Sequence, residues 1–458
     1  MTNRIPNSYV LLFIIIIIMG LMSYIIPSGT YERYIDEETG ITYVVPDSYT
    51  RTEKSSLSVF DIFNSIPEGM MQSGNIIVFV LIAGGSLGII NATGTINRII
   101  KDIVIRYKGK EKNVIPLIMI AFSLAGTVFG TAEEALPFYT MIISLSLALG
   151  FDKLTGVVMI LLGTGSGFVA GVLNPFTTGI AQNVSELPLF SGISIRIISY
   201  VVFLSTAIIF VYRYGTKIKG RKLALDEKYD SNRNLSINDQ IKLDKKDMRV
   251  ILVLILSLIF LLVGIIRFDF YITEISTTFL LMGIVSGLLG GFSSGRIVSE
   301  FMKGSSNQVY GALIIGLAKS VMTVMETGQI MDTIIYILAE SIKGIGSLAG
   351  IIGMFISQTI IDLFITSGSG QAAVTMPIMK NVADLSGITR QTAVLAFQFG
   401  DGFTNVIAPT SGYFMAALTI GGITWKKWVK WFIPLFIIWF IEGCILLIIS
   451  SIIGYGPF

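Results

Sequence analysis

The chain has 458 residues, 53% hydrophobic and only 14% charged, with a net charge of +3 and a mean hydropathy of +0.76. Soluble domains carry about 25% charged residues, so a soluble fold is excluded, and the small charge, spread over short loops, gives no footing to nucleic acid. There is no histidine and a single cysteine, Cys444, which removes His-based catalysis, His relays, an intramolecular disulfide and multi-cysteine metal sites.

The first apolar run, "YVLLFIIIIIMGLMSYII" at 9–26, reaches the roughly 18 residues that cross a bilayer. It lacks a small-residue cleavage site and ends in Ile-Pro, so it reads as a retained span. Residues 27–65 are acidic on balance through Glu32, Asp36, Glu37, Glu38, Asp47, Glu53 and Asp61. The positive-inside rule places them outside, with a cytoplasmic N-terminus and a multi-pass chain in the cytoplasmic membrane. A span at about 70–96 then returns to "NRIIKDIVIRYKGKEK", a basic segment that predicts an amphipathic helix on the cytoplasmic surface.

Residues 113–149 are split by Glu133 and Glu134 into two apolar halves. At about 1.5 Å per residue a half of about 15 residues is some 22 Å long, short of the roughly 30 Å hydrocarbon core. This predicts a re-entrant hairpin with its tip at "GTAEEA". The next span, 154–182, contains "GTGSGFVAGVLNPFTTG", whose glycines and Pro175 predict a break halfway across. A span at 193–214 leads to the hydrophilic linker 215–248, whose Lys217, Lys219, Arg221 and Lys222 read as solvated residues that set orientation.

The second half repeats the first. "ATGTINRII" (92–100) returns as "ETGQIMDTII" (326–335), "GTAEEALP" (130–137) as "GQAAVTMP" (370–377), and "NPFTTG" (174–179) as "APTSG" (408–412). The matches are collinear, which marks an internal repeat. They predict spans at 249–266, 273–292 and about 307–327, a second hairpin over 348–384 that opens from the outside, and a second broken helix over 391–420. "WKKWVK" at 425–430, with three lysines and interfacial tryptophans, then lies inside. The predicted fold is an all-α polytopic membrane protein: 1–65 as first span and outer loop, 66–214 as one repeat, 215–248 as linker, and 249–458 as an inverted second repeat. Hairpins from opposite faces followed by broken helices are the architecture of a secondary transporter.

Both tips and both breaks converge on the midplane in this reading. The candidate cargo-binding groups are Thr131, Glu133, Glu134, Asn174, Thr177, Thr178, Ser367, Ser369, Gln371, Asn405, Thr410 and Ser411, with Asp401 and Asp362 as coupling-ion or charge-compensating residues. Gly130, Gly165, Gly368, Gly370, Gly400 and Gly402 shape the hairpins and breaks. Thr131 and Glu134 also satisfy the T-x-x-E capping box, a purely local alternative. That leaves Glu133 unexplained, and a carboxylate at bilayer depth costs about 2.5 to 3.5 kcal/mol. Asp401 could likewise be a local backbone cap. No catalytic or metal-ligating set is predicted: "GTGSG" has no histidine for a serine dyad, and "QFGDGF" lacks the first glycine of a GxGD protease motif. A channel suits paired broken helices less well than alternating access.

"PSGTYERY", "FGTAEEALPFY", "NPFTTGIAQ", "TSGSGQAAVTMPIM" and "FQFGDGFTNVIAPTSG", in that order over nearly the whole chain, resemble the YfcC family. That family is a branch of the anaerobic C4-dicarboxylate carrier-like group in the ion transporter superfamily. The resemblance implies an elevator mechanism, a scaffold that pairs as a homodimer in the lipid bilayer, and a small-molecule cargo held between 130–134, 174–178, 367–371 and 401–411. It implies no cofactor beyond Na+ or H+ as a coupling ion. An acidic tip opposite a neutral Ser/Gly tip suits a basic amino acid, whereas a dicarboxylate would leave the glutamates to Na+ or H+.

Overall fold

The computed structural model describes residues 8–36, 42–53, 57–130, 132–219, 244–268, 270 and 272–456. Thr131, the acidic pair Glu37 and Glu38, and the linker residues Arg221 and Lys222 lie outside this set. Nineteen α-helices run through the described residues: α1 (Ser8–Met22), α2 (Val59–Gln72), α3 (Gly74–Ala92), α4 (Thr95–Arg106), α5 (Val114–Phe129), α6 (Tyr139–Ala148), α7 (Lys153–Ala170), α8 (Ile180–Val184), α9 (Ile193–Ile218), α10 (Lys245–Arg267), α11 (Ile272–Leu289), α12 (Ser294–Ser306), α13 (Val309–Thr327), α14 (Met331–Ile342), α15 (Ser347–Asp362), α16 (Gly368–Leu385), α17 (Arg390–Thr404), α18 (Gly412–Ile420) and α19 (Trp425–Ile452). Seven segments are long and apolar enough to cross a membrane, so the chain is an all-helical membrane protein in outline.

The loop after α1 departs from an all-α expectation. It holds two short antiparallel strand pairs, β1 (Gly29–Thr30) with β4 (Thr50–Arg51), and β2 (Arg33–Ile35) with β3 (Thr42–Val44). These strands are too short for alternation to show in the sequence. The loop docks on the start of α14, where Tyr31 N–H and Arg33 both reach Asp332, at 2.9 and 2.7 Å, and Tyr49 stacks on Tyr336. A second departure follows it. The span expected at about 70–96 is two helices, because a reciprocal cap between Ser58 and Asp61 starts α2 early and Ser73 separates it from α3.

α1 and α2 pack on α13, and α11 and α12 pack on α3. α5 lies along α7 and α15 along α17, while α7 also packs on α9, α17 on α19, and α7 on α17. The glycines of "GTGSG" do not interrupt α7, which continues to Ala170. They bring backbones together instead: a Cβ on Gly167 would lie 2.0 Å from the Ser123 carbonyl, and one on Gly126 would lie 2.3 Å from that of Thr164. Gly400 and Gly402 act in the same way and Gly165 makes room for the Val406 side chain; all three sit inside α7 and α17 and not at the breaks. A stripe of small residues packs a helix pair closely in an apolar medium, and this role wins over helix breaking.

The tryptophans of "WKKWVK" also differ from the interfacial reading. Trp428 is fully buried and donates to the Val406 carbonyl at 2.9 Å; Trp425 donates to that of Ile407 at 2.8 Å. They satisfy carbonyls of the irregular stretch that follows α17.

Candidate functional site

α5 ends at Gly130, whose φ of +64° is a left-handed cap suited to glycine. Pro137 and a 3-10 turn over Glu133–Phe138 then lead into α6. Glu134 turns back and accepts from the Ala132 N–H at 3.1 Å, so the local capping alternative describes it in part. Glu133 points elsewhere, close enough to Asp401 and Tyr413 for their charges to interact. Glu134 is thus tied to the backbone of the tip, while the charge of Glu133 acts on Glu134 and on the second break.

The first break, after α7, is shaped by Gly171 at φ +50° and by Thr127, whose hydroxyl and carbonyl receive the N–H groups of Val172 and Leu173. Asn174 Oδ1 then caps the next turn, accepting from Phe176 and Thr177 N–H at 3.0 and 3.3 Å. A Cβ on Gly130 would lie 2.5 Å from the same oxygen, so the first tip rests directly on Asn174. Thr178 is tied into the frame, with its hydroxyl 2.8 Å from the Gly171 carbonyl and 2.9 Å from Gln398 Oε1. Gln398 in turn donates to the Phe168 carbonyl at 2.7 Å.

In the second tip Ser367 caps α16, its hydroxyl 3.3 Å from that of Ser369 and 3.4 Å from the Gly370 N–H. Ser367 is exposed and Ser369 half-buried, so both hydroxyls and the free N–H groups of α16 remain accessible. Gln371 instead braces the arms through Nε2, which donates to the Gln358 carbonyl and Oε1 at 2.9 and 2.7 Å. The backbone at Gly368 sits between the breaks: a Cβ there would lie 2.4 Å from Thr177 Cγ2 and 2.9 Å from Asp401 Oδ2.

In the second break Asn405 donates to Asp401 Oδ1 at 2.8 Å and accepts from Ser411 at 3.3 Å, while Thr410 donates to the Leu363 carbonyl at 2.6 Å. Asp362, at the end of α15, is fully buried and within hydrogen-bonding reach of Asp401. Asp362, Asp401, Asn405 and Ser411 thus meet at one place, with Glu133 near enough for its charge to act on Asp401. Thr178, Gln371 and Thr410 are committed to the surrounding frame.

Buried polar groups are nearly always partnered, yet this region holds a concentration without partners among the described residues. They are Asn174 Nδ2, Thr177 Oγ1, both oxygens of Asp362, Asp401 Oδ2, Gln371 Oε1 and the Tyr139 hydroxyl. Among the described residues no lysine or arginine pairs with Glu133, Glu134, Asp362 or Asp401. Each hairpin also borders a cavity. One of about 300 Å³ touches Ile365 and Val374 of the second hairpin together with Arg33, Glu326 and Asp332. The other, of about 610 Å³, touches Pro137, Thr140 and Ser144 of the first hairpin.

Sequence reasoning missed Tyr413, which lies near the acids, and Tyr139 beside it; Tyr139 closes "FGTAEEALPFY" and Tyr413 directly follows "APTSG", and those positions were the available signal. It also missed Lys319, a half-buried lysine within α13 whose ammonium lies 3.1 Å from Met322 Sδ. A lone lysine inside an apolar span was the signal there.

Residues 5–452 match the family model described as C4-dicarboxylate anaerobic carrier. The chain is 31% identical to YfcC of Escherichia coli (strain K12), a protein named provisionally as a basic amino acid antiporter, over 98% of this chain and 97% of that one. It is 28% identical to an uncharacterised protein of Haemophilus influenzae (strain ATCC 51907 / DSM 11121 / KW20 / Rd), over 99% and 97%. Among solved structures it resembles the Alcanivorax borkumensis YdaH transporter (TM-score 0.45, 14% identity, 99% and 100% covered) and Neisseria gonorrhoeae MtrF (TM-score 0.45, 18% identity, 100% and 98% covered).

Proposed function

The chain belongs to the C4-dicarboxylate anaerobic carrier family, and from that premise we propose that this membrane transporter carries an amino acid, a basic one above others, as an exchanger or an ion-coupled carrier. The observation that carries this reading is the cluster of Glu133, Asp362 and Asp401, with Glu134 beside it, unpaired with any basic side chain among the described residues. A dianionic cargo entering there would meet like charge. A cationic side chain would meet Glu133, while the α-carboxylate would find the Ser367 and Ser369 hydroxyls and the N-terminus of α16, where N–H groups favour an anion. The name of the Escherichia coli relative points the same way.

The inverted-repeat, elevator reading has its own support. Gly165 makes room for Val406, and Gly402 makes room for Val169. Residue numbers 165 and 402, and 169 and 406, both differ by 237, so the contact is reciprocal between equivalent positions. The packing of α1 and α2 on α13 mirrors that of α11 and α12 on α3. In this reading α5 to α8 and α15 to α18 form the moving body, carrying cargo between the two cavities. α4 and α14 join it to a scaffold that pairs as a homodimer.

Proteoliposomes loaded with ornithine test the cargo. Uptake of labelled arginine from outside, lost in Glu133→Gln, is expected. Uptake of succinate with no uptake of arginine would overturn the reading in favour of a dicarboxylate.

A further inference from the structure

Resting on the transport reading above, we propose that Asp362 and Asp401 form the site of one translocated proton, shared between their carboxyls, so that cargo movement is linked to proton movement. Both residues are 0% exposed and their carboxyls lie within hydrogen-bonding reach of each other. An ionised carboxylate only accepts hydrogen bonds. Two of them in contact repel, the more strongly where water is excluded. The surroundings supply one donor, Asn405, on Asp401 Oδ1; neither oxygen of Asp362 nor Asp401 Oδ2 has any among the described residues. One proton resolves this: the O–H of one carboxyl donates to the other, and the pair carries a single negative charge. Its release to water leaves two carboxylates and no other bond made or broken.

A second observation marks the same place. Thr177 comes from the other repeat and, like Asp401, lies against Gly368, and its fully buried hydroxyl also has no partner among the described residues. It offers a step from the pair toward the first break. A metal cation fits less well, because the Gly368 backbone is packed against Asp401 Oδ2 and, among the described residues, no three acidic groups converge closely enough to hold one.

The titratable groups near the pair are Glu133 and Tyr413, with Tyr139 beside Tyr413. Those on the helices packed around it are engaged elsewhere. Lys380, Arg390, Asp384 and Glu186 form one ion network, Arg33 holds Asp332, Lys343 holds Glu340, and Thr206 donates to Glu442. Lys153 opens α7, and the lysines 426, 427 and 430 lie in the first two turns of α19.

Two readouts on the full chain separate this proposal from the cargo reading. Infrared difference spectra of the detergent-purified protein, taken on a pH step, need no cargo. One protonated-carboxyl band is expected, and both Asp362→Asn and Asp401→Asn should remove that same band. A band that survives either substitution would overturn the shared site. In proteoliposomes an inward proton gradient should drive uphill arginine uptake without sodium. In Asp362→Asn the ratio of uphill to downhill uptake should fall at least tenfold. Accumulation that requires a sodium gradient, or an unchanged ratio, would overturn proton coupling. Absence of arginine transport in any direction with the infrared result intact would instead sink the cargo reading alone.

Discussion

Thr178, in the first break, lies 2.9 Å from Gln398 Oε1 of α17, and the Gln398 amide reaches back to the Phe168 carbonyl of α7. Two residues from different halves thus close a loop of hydrogen bonds in a region without water access. Thr178→Val should destabilise the purified protein by about 1 to 3 kcal/mol, since it leaves the Gln398 oxygen buried and unmet. Gln398→Leu in the same background should recover part of that loss, read as a double-mutant cycle of thermal midpoints. An unaffected midpoint in Thr178→Val would mean that the bond contributes nothing.

Glu133 and Glu134 should behave differently although they are neighbours. In Glu134→Gln the amide oxygen can still accept from Ala132 N–H, so the tip keeps its turn. Glu133→Gln removes a charge that faces the cluster, and a charge-assisted bond is worth about 1.5 to 3 kcal/mol, or roughly 10- to 100-fold in apparent affinity. Arginine uptake kinetics should therefore show the larger KM increase for Glu133→Gln. The opposite order would reverse the assignment of the two acids.

Gly167 and Gly295 form a matched pair of helical glycines. A Cβ on Gly167 would meet the Ser123 carbonyl at 2.0 Å, while one on Gly295 in α12 would meet nothing within 4 Å. Gly167→Ala should cost about 1 to 3 kcal/mol through overpacking against backbone. Gly295→Ala should be neutral or stabilise by up to about 1 kcal/mol through helix propensity. Thermal unfolding followed by tryptophan fluorescence distinguishes the two.

Acid should loosen one surface link ahead of others. Glu186 lies in the loop after α8, where hydrogen bonds from Arg390 and then Lys380 hold its carboxyl down at about 2. A folded-state value below the unfolded one, roughly 4.3, adds stability that is present above about pH 4 and is lost as pH falls toward 2. The side chain is 64% exposed, so solvent screening keeps the contribution below about 1 kcal/mol. Glu186→Gln should lower the midpoint slightly and equally from pH 5 to 8, and the gap to the parent should narrow only in acid. A gap that changes between pH 6 and 8 would point to another group.

The apolar spans, the acidic tip and the two Gly- and Pro-marked breaks were legible because each is written locally, in hydropathy or in a residue that a helix resists. The partnership of Asp362 with Asp401 was not. It joins the end of one helix to the last turn of another, and only tertiary packing sets that distance. The glycines misled for a related reason. In water a run such as "GTGSG" weakens a helix, but in α7 the facing α5 fills the space that their missing side chains leave. The strands of the loop after α1 failed for want of length, and Trp428 because an indole beside lysines carries the composition of an interface whether it faces lipid or a carbonyl.

That indole also sets an order of assembly. The carbonyls of Val406 and Ile407 receive their donors from Trp428 and Trp425, both on α19, a helix synthesised after the whole of the second break. While the chain is being made, the half of the site built on Asp401 and Asn405 therefore remains open to rearrangement until α19 has entered the membrane and folded back. A chain released before Trp425 should insert its earlier spans yet show no arginine-dependent rise in its thermal midpoint.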